Sequence, residues 1–181
     1  MTRIHIACSA RNAGRYLDEF MDSLVAQTHG DWVLWIRDDG SSDDSWARIA
    51  QWRAREPRIT WCERGEKSLG LTRAYERVLA QLPRDAQAIA TADADDVWMP
   101  QRLERTLAAL TAATAERAGA ILVHSDLVVV DSQLKVLAPS FWRSEGIDPA
   151  ACSLRSLAIQ NVAVSPTLLF NGALLAELHE I

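Results

Sequence analysis

The chain has 181 residues, 49% hydrophobic and 24% charged, with 19 Lys and Arg against 24 Asp and Glu for a formal net charge of −5. That composition excludes a disordered, collagen-like or coiled-coil chain, and a domain of this length buries roughly 70% of its unfolded surface, enough for a core without disulfides or metal. The acidic balance sets nucleic acid aside as a partner, because affinity for phosphate backbones comes from clustered cations.

Residues 4–8 read as a strand and are followed by a polar turn over 9–14. Leu17, Phe20, Met21, Leu24 and Val25 recur at helical spacing and predict a helix that ends near Gly30. Residues 32–36 form a buried strand by composition and break off at Asp38-Asp39-Gly40-Ser41-Ser42-Asp43. Trp46, Ile49, Ala50 and Arg53 predict a second helix closed by Pro57. Residues 59–62 are a third strand, and Leu71, Ala74, Tyr75, Val78, Leu79 and Leu82 mark a third helix stopped by Pro83. Residues 86–92 form a fourth strand that runs into Asp93-Ala94-Asp95-Asp96. Pro100 opens a fourth helix striped by Leu103, Leu107 and Leu110. Residues 120–124 are a fifth strand, and residues 127–130 and 135–137 flank an Asp131-Ser132-Gln133 hairpin turn. Residues 153–159 are expected to be helical, 167–170 a strand, and Ala173 onward a helix. Strand and helix alternating at about thirty residues per unit predict an α/β fold, a mostly parallel sheet with helices on both faces.

Cys8, Cys62 and Cys152 are widely spaced and signal neither a disulfide framework nor a zinc site. The chain starts directly on a strand pattern without a signal-peptide core, and its apolar runs fall far short of the ~20 residues of a membrane span, so the expected location is cytoplasmic.

Ligands of parallel sheets bind at the carboxyl ends of the strands. Those ends carry residues 9–12, Asp38-Asp39, Glu63-Arg64 and Asp93-Ala94-Asp95-Asp96. Two of the four are clustered carboxylates, which need a cation or hydrogen-bond donors to sit together. An all-oxygen set suits Mg²⁺ or Mn²⁺, held by one or two carboxylates and completed by substrate phosphates. Structural roles compete: Asp38 to Ser41 is a good β-turn sequence, and Ser42 or Asp43 suits a cap of the second helix. Asp96 is expected to cap the helix that opens near Pro100, whereas Asp93 and Asp95 lie ahead of any cap. A single glycine in residues 9–14 excludes a dinucleotide fingerprint, and neither a P-loop nor Gly-x-Ser-x-Gly occurs.

Together these residues resemble the family 2 glycosyltransferases, inverting enzymes on the GT-A fold. The family's strand, short turn to Asn and aromatic-Leu pair are here residues 4–12 and Tyr16-Leu17. Its Ser-Leu-x-x-Gln-Thr is Ser23 to Thr28, its Asp-Asp-Gly-Ser-x-Asp is Asp38 to Asp43, and its Asp-x-Asp-Asp with a following Pro is Asp93 to Asp96 with Pro100. The match runs to about residue 140, and His124-Ser125-Asp126, the Asp131 turn and the 161–171 stretch resemble rhamnose-transferring members.

The resemblance implies a nucleotide-sugar-binding half over 1–97 and a partial acceptor-side half over 98–181, truncated at its C-terminal part. It implies a UDP-, GDP- or dTDP-sugar donor, a glycan or lipid-linked acceptor, Mg²⁺ or Mn²⁺ as cofactor, and a place in surface-polysaccharide synthesis, with peripheral membrane contact left open. Ser9, Ala10 and Arg11 would line the base pocket. Asp39, with Asp38 behind it, would read the base edge or ribose, and Arg73 would lie near the nucleotide. Asp93 would face the ribose or sugar and, with Asp95, the metal. Ser9 stands where Pro is common, and Arg11 where an aromatic is, although a flat guanidinium also stacks on a base. The family's catalytic base is expected beyond Ile181. Glu177 and Glu180 come too soon after Phe170 and read as a solvated face. The alternative is therefore a nucleotide-binding fragment, or a GT-A-like scaffold that needs another chain. Trp98 and Trp142 are candidate sugar stackers, Trp32, Trp35, Trp46, Trp52 and Trp61 are expected core residues, and His124 has no assigned role.

Overall fold

The computed structural model describes residues 2–149 and 162–180; the helix expected at 153–159 and Cys152 lie outside them. In chain order the elements are β1 (Ile4–Ala10), α1 (Leu17–Val25), β2 (Trp32–Asp38), α2 (Ser45–Arg55), β3 (Ile59–Arg64), α3 (Leu71–Leu79), β4 (Ala88–Asp93), α4 (Arg102–Glu116), β5 (Leu122–Val123), β6 (Val129–Val130), β7 (Val136–Ala138), α5 (Phe141–Ser144), a 3₁₀ turn (Ser165–Thr167), β8 (Leu169–Asn171) and α6 (Gly172–Leu178). Six strands form one sheet in the order β3-β2-β1-β4-β8-β5. The first four strands are parallel, so their carboxyl ends share one edge, with Ala10 paired to Asp38 and Ser9 to Asp93. β8 runs antiparallel to β4, and β6 and β7 form a separate hairpin.

Near-continuous apolar strands demand cover on both faces. One face packs Ile4, Ile6, Leu34 and Ile36 against Leu17, Phe20 and Leu24 of α1, Ile49 of α2, and Leu103 and Leu110 of α4. The other packs Ile89 and Phe170 against Leu82 and Leu175, with Leu79 of α3 alongside. The fifth strand is shorter than its composition predicts, and beside it a side chain joins the backbone bond from the Asn171 amide to the Ile121 carbonyl (3.0 Å). Asn171 accepts from the Ile121 amide at 3.0 Å and donates to the Gly119 carbonyl at 2.8 Å.

The run from Ser23 to Thr28 fastens α1 to the segment that follows the second acidic cluster. Ser23 Oγ accepts from the Trp98 amide at 3.0 Å. Gln27 donates to the Met99 carbonyl (2.9 Å) and accepts from the Leu103 amide (3.1 Å), and Thr28 donates to Glu104 (2.7 Å). Leu103 sits in the first turn of α4, where amides lack helical partners, so a glutamine 76 residues away satisfies the helix start. This corrects the expectation for Asp96: α4 begins at Arg102, its N-cap residue is Gln101, and no side chain at that position caps it. Trp98 is also corrected. Only 4% exposed, it packs edge-on to Phe20 under the Arg102 guanidinium, 3.6 Å from its ring, and presents no face to a sugar. Trp32 and Trp52 are buried as expected, while Trp35, Trp46 and Trp61 are half-buried. Trp142 packs edge-on to His124, with ring centroids 5.5 Å apart.

Candidate active site at the carboxyl edge of the sheet

Two loops meet at the ends of β1 and β2. Asn12 adopts a left-handed backbone (φ 50°), a conformation Asn tolerates better than most residues. Its side chain accepts from the Ser42 amide at 2.9 Å, and its own amide donates to Ser41 Oγ at 2.8 Å. Asp43 accepts from the Ser45 amide (3.0 Å) at the start of α2 and from the Gly14 amide (3.0 Å). The carboxylates of this run thus hold the turn, and Asp43 serves the helix start, the structural role weighed for it above.

Asp39 is different, being 2% exposed yet lining a cleft. It accepts from the Leu69 amide (2.9 and 3.0 Å), the Gly70 amide (3.2 Å), Ser68 Oγ (2.7 Å) and Arg37 Nε (3.4 Å). Burial pushes its carboxyl up, but these donors and the Arg37 charge outweigh it and hold the group below the ordinary carboxylate range. Arg37 is itself buried and pairs with Glu63 Oε1, its register partner on β3. Asp38 lies fully buried behind; its Oδ1 accepts from the Ser41 amide at 3.3 Å.

Facing Asp39 stands the end of β4. The Tyr75 hydroxyl of α3 lies 2.6 Å from the Ala92 carbonyl oxygen and 2.6 Å from Asp93 Oδ1. Asp95 is exposed and Asp96 half-buried. Burial raises the Asp93 carboxyl, with the Asp95 charge adding and the Tyr75 bond opposing. Burial and the charges of Asp95 and Asp93 push Asp96 up to about 6 against the pull of Arg102.

The sign of the resulting pH dependence follows directly. As pH rises, the unfolded chain releases the Asp96 proton near 3.8 and the folded chain only near 6, so wild-type stability falls across that interval. Relative to Asp96→Asn, which does not titrate, wild type is expected to lose about 1–2 kcal/mol between pH 4 and pH 7, solvent screening reducing the full effect. Urea melts of both proteins measure it; a difference independent of pH contradicts it.

A cleft of about 370 Å³ runs between the two acidic ends. Ser9, Arg11, Asn12, Ala13 and Tyr16 line one wall, Asp39, Ser68, Gly70 and Leu71 another, and Asp93, Ala94 and Asp95 the floor beyond β4. The structure thus brings Ser9, Arg11, Asp39, Asp93 and Asp95 together. Ala10 is buried and gives its carbonyl to the Asp39 amide (2.8 Å), and Asp38 is buried beneath. Arg73 is exposed on α3 and does not line the cleft. Tyr75 and the donors at Ser68, Leu69 and Gly70 were not foreseen as site residues; Tyr75 reads as one apolar position of a helical stripe. Among the described residues, no group of three or more His, Cys, Asp or Glu is arranged to hold a metal by itself. Asp93, whose Oδ2 takes no hydrogen bond from the described residues, and exposed Asp95 nevertheless fit a hard divalent ion, which commonly keeps waters and substrate oxygens in its shell.

A parallel sheet with an acidic cleft at its carboxyl edge is the arrangement of a GT-A transferase. Residues 6–145 match the glycosyl transferase family 2 profile, and the chain belongs to that family. An uncharacterized glycosyltransferase of Nostoc sp. is 31% identical over 133 residues, covering 70% of this chain and 37% of that relative, so the chain spans well under half the relative's length. Residues 1–349 of S. aureus TarS, solved in complex with UDP, superpose with a TM-score of 0.63 at 16% identity over 98% of this chain and 48% of TarS 1–349. A mannosyltransferase from Pyrobaculum calidifontis, in complex with GDP-Man and Mn²⁺, gives 0.54 at 18% identity over 65% of this chain and 34% of its own. At such identities the structural likeness establishes the GT-A fold. Among the described residues, no helix is long and apolar enough to cross a membrane.

Proposed function

We propose that this chain binds a nucleotide-diphospho-sugar in the cleft and transfers the sugar to an acceptor hydroxyl with inversion at the anomeric carbon, in surface-polysaccharide synthesis. The observation that carries the reading is the convergence of Asp39 from β2 with Asp93 and Asp95 from β4 on one cleft. The complexes of the structural neighbours with UDP and with GDP-Man and Mn²⁺ support it. Ser9, Ala10 and Arg11 form the base side, with Arg11 exposed and able to stack. Asp39, backed by Asp38, fixes the wall that meets the base or ribose, Arg73, exposed on α3 outside the cleft lining, would approach the nucleotide only from beyond it, and Asp93 faces the ribose or sugar. Asp95, with Asp93, would hold Mg²⁺ or Mn²⁺, which when bound neutralises the charge that builds on a departing diphosphate. The cleft acids are poor candidates for the base that accepts the acceptor's proton, since their charge serves the donor side.

A second reading, nucleotide binding without transfer, is favoured by the placement of Glu177 and Glu180. α6 follows β8, whose Asn171 pairs with Ala88 at the opposite edge of the sheet, and His179 beyond it bonds the Leu79 carbonyl at the end of α3. Both glutamates therefore sit away from the cleft. Calorimetric titration of UDP, GDP and dTDP, with and without Mn²⁺, tests the first reading. Mn²⁺-dependent binding that falls at least tenfold in Asp95→Ala is expected; no nucleotide binding, or binding indifferent to Mn²⁺ and to that substitution, refutes it. Binding without hydrolysis or transfer of the matching nucleotide-sugar selects the second.

A further inference from the structure

The two acidic walls of the cleft come from strand ends 54 residues apart in sequence, yet one short segment grips both. Ser68, Leu69 and Gly70 donate to Asp39, and one turn later Tyr75 reaches Asp93 Oδ1 and the Ala92 carbonyl, both at 2.6 Å. α3 starts at Leu71 and buries Ala74 and Val78; Tyr75 beside them is half-buried, and its hydroxyl is held by the Ser165 side chain as well as by the two oxygens at 2.6 Å. Asp93 Oδ2 takes no hydrogen bond from the described residues, and Asp93 lines the cleft. The contact therefore commits one oxygen of Asp93 to the protein and leaves the other for a ligand. An ordinary core tyrosine needs one partner for its hydroxyl; the single proton of this one is shared between the Ala92 carbonyl and an acid of the cleft, with the Ser165 side chain as a further partner.

We infer that Tyr75 is a positioning residue: its hydroxyl sets the direction of the Asp93 carboxylate and, through the segment from Ser68 to Tyr75, holds the spacing between the Asp39 wall and the metal side of the cleft. The inference rests on the cleft being a metal-assisted nucleotide site. Outer residues that orient a ligand carboxylate commonly change metal affinity 10–100-fold when removed. Tyr75→Phe keeps the ring and removes only the hydroxyl.

The test titrates UDP, GDP and dTDP, with and without Mn²⁺, into wild type, Tyr75→Phe and Val78→Ala. Tyr75→Phe is expected to weaken binding in Mn²⁺ about tenfold and to leave metal-free binding within about twofold. Val78→Ala, a cavity in the same helix, lowers the melting temperature without changing the ratio of the two affinities. An unchanged ratio in Tyr75→Phe, or equal loss with and without Mn²⁺, overturns the positioning role. If wild type binds no nucleotide in an Mn²⁺-dependent way, the functional reading fails, and the tie is judged without ligand by melts of Tyr75→Phe, Asp93→Asn and the double variant. Midpoint shifts that fall short of additivity by more than about 2 °C support the contact, and additive shifts overturn it.

Discussion

Arg37→Met is expected to cost about 3–5 kcal/mol of stability, because removing one member of a buried charge pair strands the other. Arg37 is 4% exposed on β2 and bonds both Glu63 on β3 and Asp39 at the cleft wall. Methionine preserves much of the length and none of the charge. Glu63 keeps its outer partner, Arg77 at 3.0 Å, but Asp39 loses its cation. The control is Arg77→Met on the solvent side of the same glutamate, where a half-exposed pair is worth about 1 kcal/mol or less. Urea melts separate the two. Equal, small losses in both would show that the inner pair is not the stabilising one.

Gly40→Ala should cost about 2–4 kcal/mol and weaken the nucleotide binding proposed above about tenfold, for two additive physical reasons. Gly40 has φ +73°, where a Cβ is strained, and that Cβ would lie 2.9 Å from the backbone of both Lys67 and Ser68. Those atoms are main chain and cannot swing aside. Moving them displaces the Ser68, Leu69 and Gly70 donors from Asp39. Gly146→Ala separates the causes: Gly146 lies outside the cleft lining, has φ +66° and nothing within 4 Å of the added atom, so it carries strain alone, about 1–2 kcal/mol. Calorimetry and melts of the two variants side by side are the measurement; Gly40→Ala no worse than Gly146→Ala contradicts the role of the close approach.

The parallel core and its acidic edge were legible because both follow from periodic and positional rules. Alternating apolar runs identify β1 to β4, parallel pairing puts their ends on one edge, and Asp39, Asp93 and Asp95 then share a rim. What escaped was every contact whose partner is remote in sequence. Capping rules look three residues ahead, so they pointed to Asp96 for the start of α4, while Gln27 supplies the acceptor from the loop that follows α1. Helical spacing marks Tyr75 as core and says nothing of its hydroxyl, whose partners depend on how α3 lies across the sheet. Trp98 follows an acidic loop and so suggested a ligand face, but Ser23 pins its backbone and Phe20 covers its ring. The surroundings of β5 have the same origin, since the Asn171 side chain on β8 bonds Ile121 and Gly119 some fifty residues earlier in the chain.

The Ser23 and Gln27 bonds to Trp98, Met99 and Leu103 bear on how any guest would be received. The stretch beyond the second acidic cluster is immobilised when the chain folds, so a guest need not freeze it on arrival. Ordering a floppy stretch subtracts from affinity; here that subtraction is small on the Asp95 side, and whatever motion accompanies docking must be borne by other parts of the molecule.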